Sequence, residues 1–193
     1  MKIFSFCVYG KNKIYYHGLL ENIRLIKEHF PDFWIFIYVG SDYLKDFFKD
    51  ISGIKIIPTN TDKDKNTLYR YLPILEDDVE LLFVRDADSE VNARDRWCIN
   101  AFIDSDFQSH AIRDHYWHKS RFMAGTSGFK KPALDLARDA FAEHFKKMAA
   151  TNDFFYGKDE VFLEKYVYPL IKNTMMVHTD INAYKGEAFF PIE

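Results

Sequence analysis

The chain has 193 residues, 48% hydrophobic and 28% charged, with only 8 Gly and 6 Pro. That composition is globular and long enough to bury a core as one domain over residues 1–193. A net charge of −3, with no block of Lys or Arg, argues against a nucleic-acid duplex as partner. Aromatic residues make up 18%, including 19 Phe and 12 Tyr, enough for a thick core and a surface on which a ring can stack. Cys7 and Cys98 lie far apart and fit no metal-site spacing, so they read as reduced thiols of a cytoplasmic protein.

Ile3 to Tyr9 is strand-like and leads into Gly10-Lys11-Asn12 rather than a small-residue cleavage site, so it reads as a first strand and not a signal peptide. Leu19, Ile23, Ile26 and Phe30 recur at helical spacing within His17 to Phe30, and Pro31 stops the helix. Phe33 to Val39 is a buried strand, far too short to span a membrane. A short helix from Tyr43 to Lys49, a strand from Ile54 to Ile57 and a polar loop from Thr59 to Asn66 follow. Thr67 to Leu75 reads as a helix leading to the Leu81 strand. This βαβαβ order predicts a mostly parallel sheet flanked by helices.

The second half is less regular. A helix is expected from Asn92 to Ile103 and a strand from His110 to Tyr116. Phe122 to Phe129 reads as a strand broken by Gly125-Thr126-Ser127-Gly128. Helices are expected from Pro132 to Ala149 and from Asp159 to Leu170, then a strand and loop from Met175 to Glu193. We assign residues 1–91 to a nucleotide-binding half and residues 92–193 to an acceptor and catalytic half.

The most informative stretch is Leu81-Leu82-Phe83-Val84-Arg85-Asp86-Ala87-Asp88. Its apolar run suits a strand buried on both faces. The i, i+2 spacing puts Asp86 and Asp88 on one side at the strand's carboxyl end, where open α/β sheets bind ligands. Two hard oxygen ligands there suit Mg²⁺ or Mn²⁺ holding a phosphate. The first βα turn, Tyr9-Gly10-Lys11-Asn12, lacks both G-x-G-x-x-G and G-x-x-x-x-G-K-[ST]. Without a glycine cradle a diphosphate needs a cation, which points back to Asp86 and Asp88.

Thr67, Arg70 and Leu72, followed by an apolar strand ending in Asp86-Ala87-Asp88, resemble the donor-binding core of GT-A-fold glycosyltransferases. The pattern is similar to the retaining, galactosyltransferase-like branch and to small glycosyltransferases of large algal (chlorella) viruses. Phe122-Met123-Ala124-Gly125 resembles the family's F-N-A-G strand, and Asp159-Glu160-Val161-Phe162-Leu163 its D-Q-x-x-L helix start. Val177-His178 resembles its late metal-binding histidine, so the likeness runs from Lys2 to Lys185. Met123 stands where the family has Asn and Glu160 where it has Gln. Lys185 lies one residue further from His178 than the family's phosphate-binding Lys.

The resemblance implies a GT-A-type central sheet with a smaller antiparallel element in the second half. It implies metal-dependent transfer of a sugar from a UDP-linked donor to a glycan or glycoprotein acceptor, with retention. Asp86, Asp88 and His178 would hold Mn²⁺ or Mg²⁺, and Tyr9, Gly10, Arg70, Asp86 and Lys185 the nucleotide. Asp159 would act near the reacting carbon, against the plainer reading of a helix-start acid meeting the helix dipole. Arg70 offers a fixed fork to a phosphate, against a surface salt bridge with Asp77 or Asp78.

Arg113-Asp114-His115-Tyr116-Trp117-His118 is dense in sugar-binding side chains. With Gly125, where backbone can approach a ligand closely, the segment reads as a substrate wall for donor sugar or acceptor, against a core aromatic cluster. A viral origin would put the protein in the host-cell cytoplasm. Two other functions share the apolar strand and paired acids: a haloacid-dehalogenase-like phosphatase or phosphotransferase, and a carbohydrate-binding domain of this fold without turnover.

Overall fold

The computed structural model describes residues 1–59, 66–150 and 157–192. The chain opens with β1 (Lys2–Val8), α1 (Lys13–His29), β2 (Trp34–Val39), α2 (Asp42–Phe48) and β3 (Lys55–Pro58). After α3 (Asn66–Tyr69) and a 3-10 turn at Leu72–Leu75 come β4 (Leu81–Arg85), α4 (Ala93–Asp104), β5 (Ser109–Ile112) and β6 (Thr126–Lys130). Three helices follow, α5 (Lys131–Ala150), α6 (Lys158–Phe162) and α7 (Tyr168–Ile171), then β7 (Met175–His178) and β8 (Ala188–Phe190). No helix among the described residues is long and apolar enough to cross a membrane.

These strands form one sheet in the order β3-β2-β1-β4-β6-β5-β7-β8. Only β6 runs against the rest, antiparallel to both β4 and β5. The long apolar runs take the central places because a parallel strand covered by helices on both faces must be apolar on both. Alternate side chains of β1 and β4 accordingly enter two separate cores. Ile3, Leu82 and Val84 pack on one face with Tyr71, Phe129 and Phe141. Phe4, Phe6 and Phe83 pack on the other with Leu19, Ile23 and Phe102.

Several elements differ from the sequence pattern for identifiable reasons. Helix α1 starts four residues before His17, because the Asn12 side chain caps it by accepting from the Ile14 N–H at 3.2 Å. The helix expected over Thr67 to Leu75 breaks after Tyr69 and resumes as a 3-10 turn containing Pro73, which has no N–H to give to a continuous helix. That break turns Arg70 inward. The helix expected from Asp159 to Leu170 is interrupted by a π-helical turn at Leu163–Val167, ahead of Pro169. Strand β5 stops at Ile112 rather than Tyr116, so residues 113–125 cross the sheet's carboxyl edge before β6 begins. The predicted polar loop from Thr59 to Asn66 lies mostly outside the described residues.

Candidate active site

Strand β4 ends where the Asp86 N–H donates to the Gly125 carbonyl at 3.1 Å, so the acid turn is joined to the approach to β6. The Asp86 carboxylate lies so close to Gly125 that a Cβ there would overlap Oδ2. Helix α1 fixes the other side of the turn. Buried Asn22 accepts from the Val91 N–H at 2.8 Å and donates to the Ser89 carbonyl at 3.2 Å. A Cβ on Gly18 would stand 3.0 Å from the Asp88 Cα and overlap the Ala87 carbonyl oxygen. Sequence reading missed both residues. The signal for Asn22 was present, since an amide stands on the apolar face marked by Leu19, Ile23 and Ile26.

Arg70 joins two parts of the chain that the sequence keeps far apart. The residue is buried, with Nη1 paired to Asp86 Oδ1 and Nη2 3.0 Å from Asp159 Oδ2. The surface alternative does not hold, because Asp77 pairs with Arg138 instead. Asp159 Oδ1 also accepts from the Glu160 N–H at 3.0 Å. Both of its oxygens therefore have protein donors, and its orientation is set.

These groups open on a cavity of about 200 Å³ whose walls include Tyr9, Tyr15, Thr67, Asp86, Asp88 and Glu160, with Asp159 and Arg70 at its base. Burial alone would raise the Asp86 carboxyl, but the charge and hydrogen bond of Arg70 hold it below the ordinary value. Asp88, exposed, is raised by partial desolvation and by the negative charge of Asp86. Glu160 is raised as well, by desolvation and then by Asp159 and Asp86, with the Ser120 hydroxyl bond at 2.9 Å opposing the shift. Burial pushes the Cys7 thiol up to about 12, which keeps it protonated and removes it as a nucleophile.

The donor set suits a hard divalent cation bound partly by substrate. No group of three or more His, Cys, Asp or Glu positioned to hold a metal occurs among the described residues. Asp86 and Asp88 nevertheless supply carboxylate oxygens, and Mg²⁺-type ions commonly take one or two of these plus substrate phosphates. The like-charge repulsion already felt by Asp88 is relieved by a cation beside it.

Other expected site residues lie elsewhere. His178 is not brought to the acids: β7, which carries it, is three strands from β4. Its Nδ1 lies 2.8 Å from Nε2 of His110, its ring meets Trp97 edge to face, and it is fully buried. Chain order suggested a ligand there, but pairing of β7 with β5 takes the ring into the interior. Lys185 is exposed on the segment after β7. Gly10 forms the first turn with φ +74 and accepts from the Tyr16 hydroxyl, while neighbouring Tyr9 reaches the cavity. Arg113 is fully buried against Glu187, and Asp114 pairs with Arg94 and His118. His115 is exposed, its Nδ1 accepting from the Trp117 N–H at 3.2 Å.

No family model and no curated protein matches the sequence. Solved structures do match the fold. The chain is similar to a glycosyltransferase involved in glycosylation of the major capsid of PBCV-1, with TM-score 0.55 and 16% identity, covering 93% of this chain and 82% of that one. It is similar to residues 1–349 of Staphylococcus aureus TarS in complex with UDP, with TM-score 0.58 and 13% identity, covering 100% and 61%. A third likeness is the mannosyltransferase PcManGT from Pyrobaculum calidifontis with GDP-Man and Mn²⁺, at TM-score 0.56 and 11% identity, covering 98% and 55%. The chain thus spans a little over half the length of two of these proteins. The haloacid-dehalogenase-like alternative gains no support from these likenesses. The chain has the α/β fold of GT-A glycosyltransferases, a mostly parallel eight-stranded sheet with helices on both faces.

Proposed function

We propose that the protein is a metal-dependent glycosyltransferase that takes a sugar from a UDP-linked donor and passes it to a glycan or glycoprotein hydroxyl. One observation carries the reading: Arg70 bridges Asp86, at the carboxyl end of a central strand, to Asp159 across the same cavity. A buried cation between two carboxylates holds both at fixed positions, and preorganised charge is what transfer from a nucleotide sugar requires. The fold likeness to nucleotide-sugar transferases supports the reading.

Asp86 and Asp88 would hold Mn²⁺ or Mg²⁺, which as a Lewis acid neutralises the charge developing on the departing diphosphate. Tyr9 and Gly10, at the first βα turn, face the nucleoside, and Asp86 accepts from ribose hydroxyls. Lys185 is the cation that the resemblance assigns to the diphosphate. Asp159, locked by Arg70 and the Glu160 N–H, presents a fixed anion to the oxocarbenium-like carbon. Glu160, which keeps its proton to higher pH than an ordinary glutamate, hydrogen-bonds the acceptor hydroxyl. Gly125 lets the segment before β6 lie against Asp86, buried Arg113 braces the loop after β5 through Glu187, and Asp114 and His115 on that loop face the substrate. Retention is the outcome the resemblance favours, read from the anomeric proton coupling of the product.

The test is calorimetric titration of UDP with and without Mn²⁺, followed by assay of UDP release from UDP-sugars. Metal-dependent binding with release of UDP is expected. Binding without turnover would leave a carbohydrate-binding domain, and no UDP binding in either condition would remove the reading.

A further inference from the structure

The crossing between β5 and β6 carries two large aromatic side chains out into solvent. Tyr116 is 60% exposed and Trp117 71% exposed. Their rings stand nearly perpendicular, at 77° with centroids 5.2 Å apart, and form a corner. The Lys119 ammonium lies 4.7 Å from the Tyr116 centroid and 5.4 Å from that of Trp117. A solvent-facing loop tip is ordinarily where small polar residues collect, so two largely exposed aromatic rings there call for a purpose.

The corner is held in place by the segment after β7. Thr179 donates its hydroxyl to the Arg113 carbonyl at 2.9 Å. Asn182 Nδ2 donates to the His115 carbonyl at 3.2 Å and the His118 carbonyl at 3.0 Å. The Tyr184 hydroxyl donates to the Lys119 carbonyl, and Glu187 is paired with buried Arg113. Bonds from Thr179, Asn182 and Tyr184 thus land on backbone carbonyls at both sides of Tyr116–Trp117, and the rings are displayed in advance of any ligand. Preorganisation of this kind lowers the ordering cost of binding.

The corner also adjoins the candidate active site. The Ser120 hydroxyl, on the same crossing, donates to Glu160, which lines the cavity. Tyr116 and Trp117 themselves do not line the cavity. With the donor in the cavity, the ligand they face is the other substrate.

We infer that Tyr116 and Trp117 form an acceptor subsite that stacks a hexopyranose unit of a glycan, with Lys119 bonding its hydroxyls. The apolar C–H face of a pyranose carries partial positive charge and matches the negative face of an aromatic ring. Its equatorial hydroxyls accept from an ammonium. The inference rests on the transferase reading for the identity of the second substrate, though the sugar contact stands on these residues alone.

The test uses the whole chain, labelled with ¹⁵N, and methyl β-glucopyranoside, methyl β-galactopyranoside and methyl α-mannopyranoside titrated separately into the millimolar range. The three tryptophans, Trp34, Trp97 and Trp117, each give an indole N–H signal. At least one glycoside is expected to move the Trp117 signal saturably, leaving Trp34 and Trp97 in place. Trp117→Ala should weaken that binding at least tenfold, and Tyr116→Ala should do so if the first variant fails to fold. Shifts confined to cavity residues, unchanged affinity in the folded variants, or no shift with any of the glycosides would overturn the subsite. UDP titrated together with Mg²⁺ into the wild-type sample reports separately on the transferase reading: UDP binding without glycoside binding defeats the subsite alone. Glycoside binding at Trp117 without UDP binding supports the sugar contact and defeats the transferase reading.

Discussion

Gly125 and Asp86 are in such close approach that no side chain fits between them: a Cβ on Gly125 would overlap the carboxylate oxygen of Asp86. The glycine is required here by space rather than by backbone angle, because the strand approaching β6 lies directly against the end of β4. Gly125→Ala should therefore push the Asp86 carboxylate off Arg70. Overpacking of this kind costs roughly 1–3 kcal/mol, and Mn²⁺-dependent UDP affinity should fall with it. Wild-type affinity in the alanine variant would mean that Asp86 has another productive position.

Asp88 is exposed and makes the smaller contribution to the fold. Asp88→Asn keeps the shape and removes the charge that a cation needs. Melting temperature should stay close to wild type, and Mn²⁺-dependent UDP affinity should fall by roughly tenfold or more, the scale on which disturbed metal sites lose affinity. Calorimetry with both variants side by side distinguishes lost metal binding from lost folding.

Asp159 and Glu160 are neighbours with different jobs. Asp159→Asn leaves buried Arg70 with one carboxylate fewer, and hydrogen bonds to charged groups are worth roughly 1.5–3 kcal/mol. A drop in melting temperature is expected, together with a rate loss of roughly 100-fold at unchanged donor affinity. Glu160→Gln keeps an acceptor for the Ser120 hydroxyl and breaks no ion pair among the described residues, so it should melt like wild type while raising KM for acceptor. If Asp159→Asn melts early yet turns over normally, the carboxylate serves only to hold Arg70.

Asn22 supports the acid turn without touching the cavity. Asn22→Ala removes the acceptor for the Val91 N–H and the donor to Ser89, leaving buried backbone groups without partners. The expected cost is roughly 1–3 kcal/mol, with faster hydrogen exchange over Asp86–Val91. Unaltered exchange there would assign the turn's rigidity to Gly125 and Arg70 instead.

The His110–His178 pair makes stability depend on mild acid. Desolvation depresses His178 from the ordinary 6.5 to about 4, and His110 is lowered well below its ordinary value by burial and by His178. The unfolded chain takes up a proton as pH falls through 6.5, whereas the native ring resists until about 4. The stabilisation is thus full above 6.5 and is lost progressively as pH falls toward 4. For His178 alone the loss by about pH 5 is roughly 2 kcal/mol. Urea midpoints measured near neutral pH and at about pH 5 should differ accordingly, before most carboxylates titrate. Equal midpoints would show that water reaches the imidazoles.

The amino-acid order by itself determined the layers of this protein and the place of its acids. Runs such as Ile35–Val39 and Leu81–Val84 read as strands covered on both faces, because consecutive apolar side chains leave neither face suited to water. An Asp-x-Asp following such a strand must emerge at the sheet's ligand-binding edge. Tertiary structure decided which distant residues meet there. Arg70 turns inward because Pro73 breaks the expected helix, and it finds Asp159 only because α6 returns to the same edge. His178 followed chain order as a metal ligand, yet strand pairing took its ring to His110. Asn22 stands out in the sequence only as an amide on an apolar helix face, and it is the docking of α1 on the acid turn that gives Asn22 and Gly18 their partners. Local pattern fixes what an element is, through burial and backbone geometry; only the pairing of elements across the chain fixes what each side chain touches.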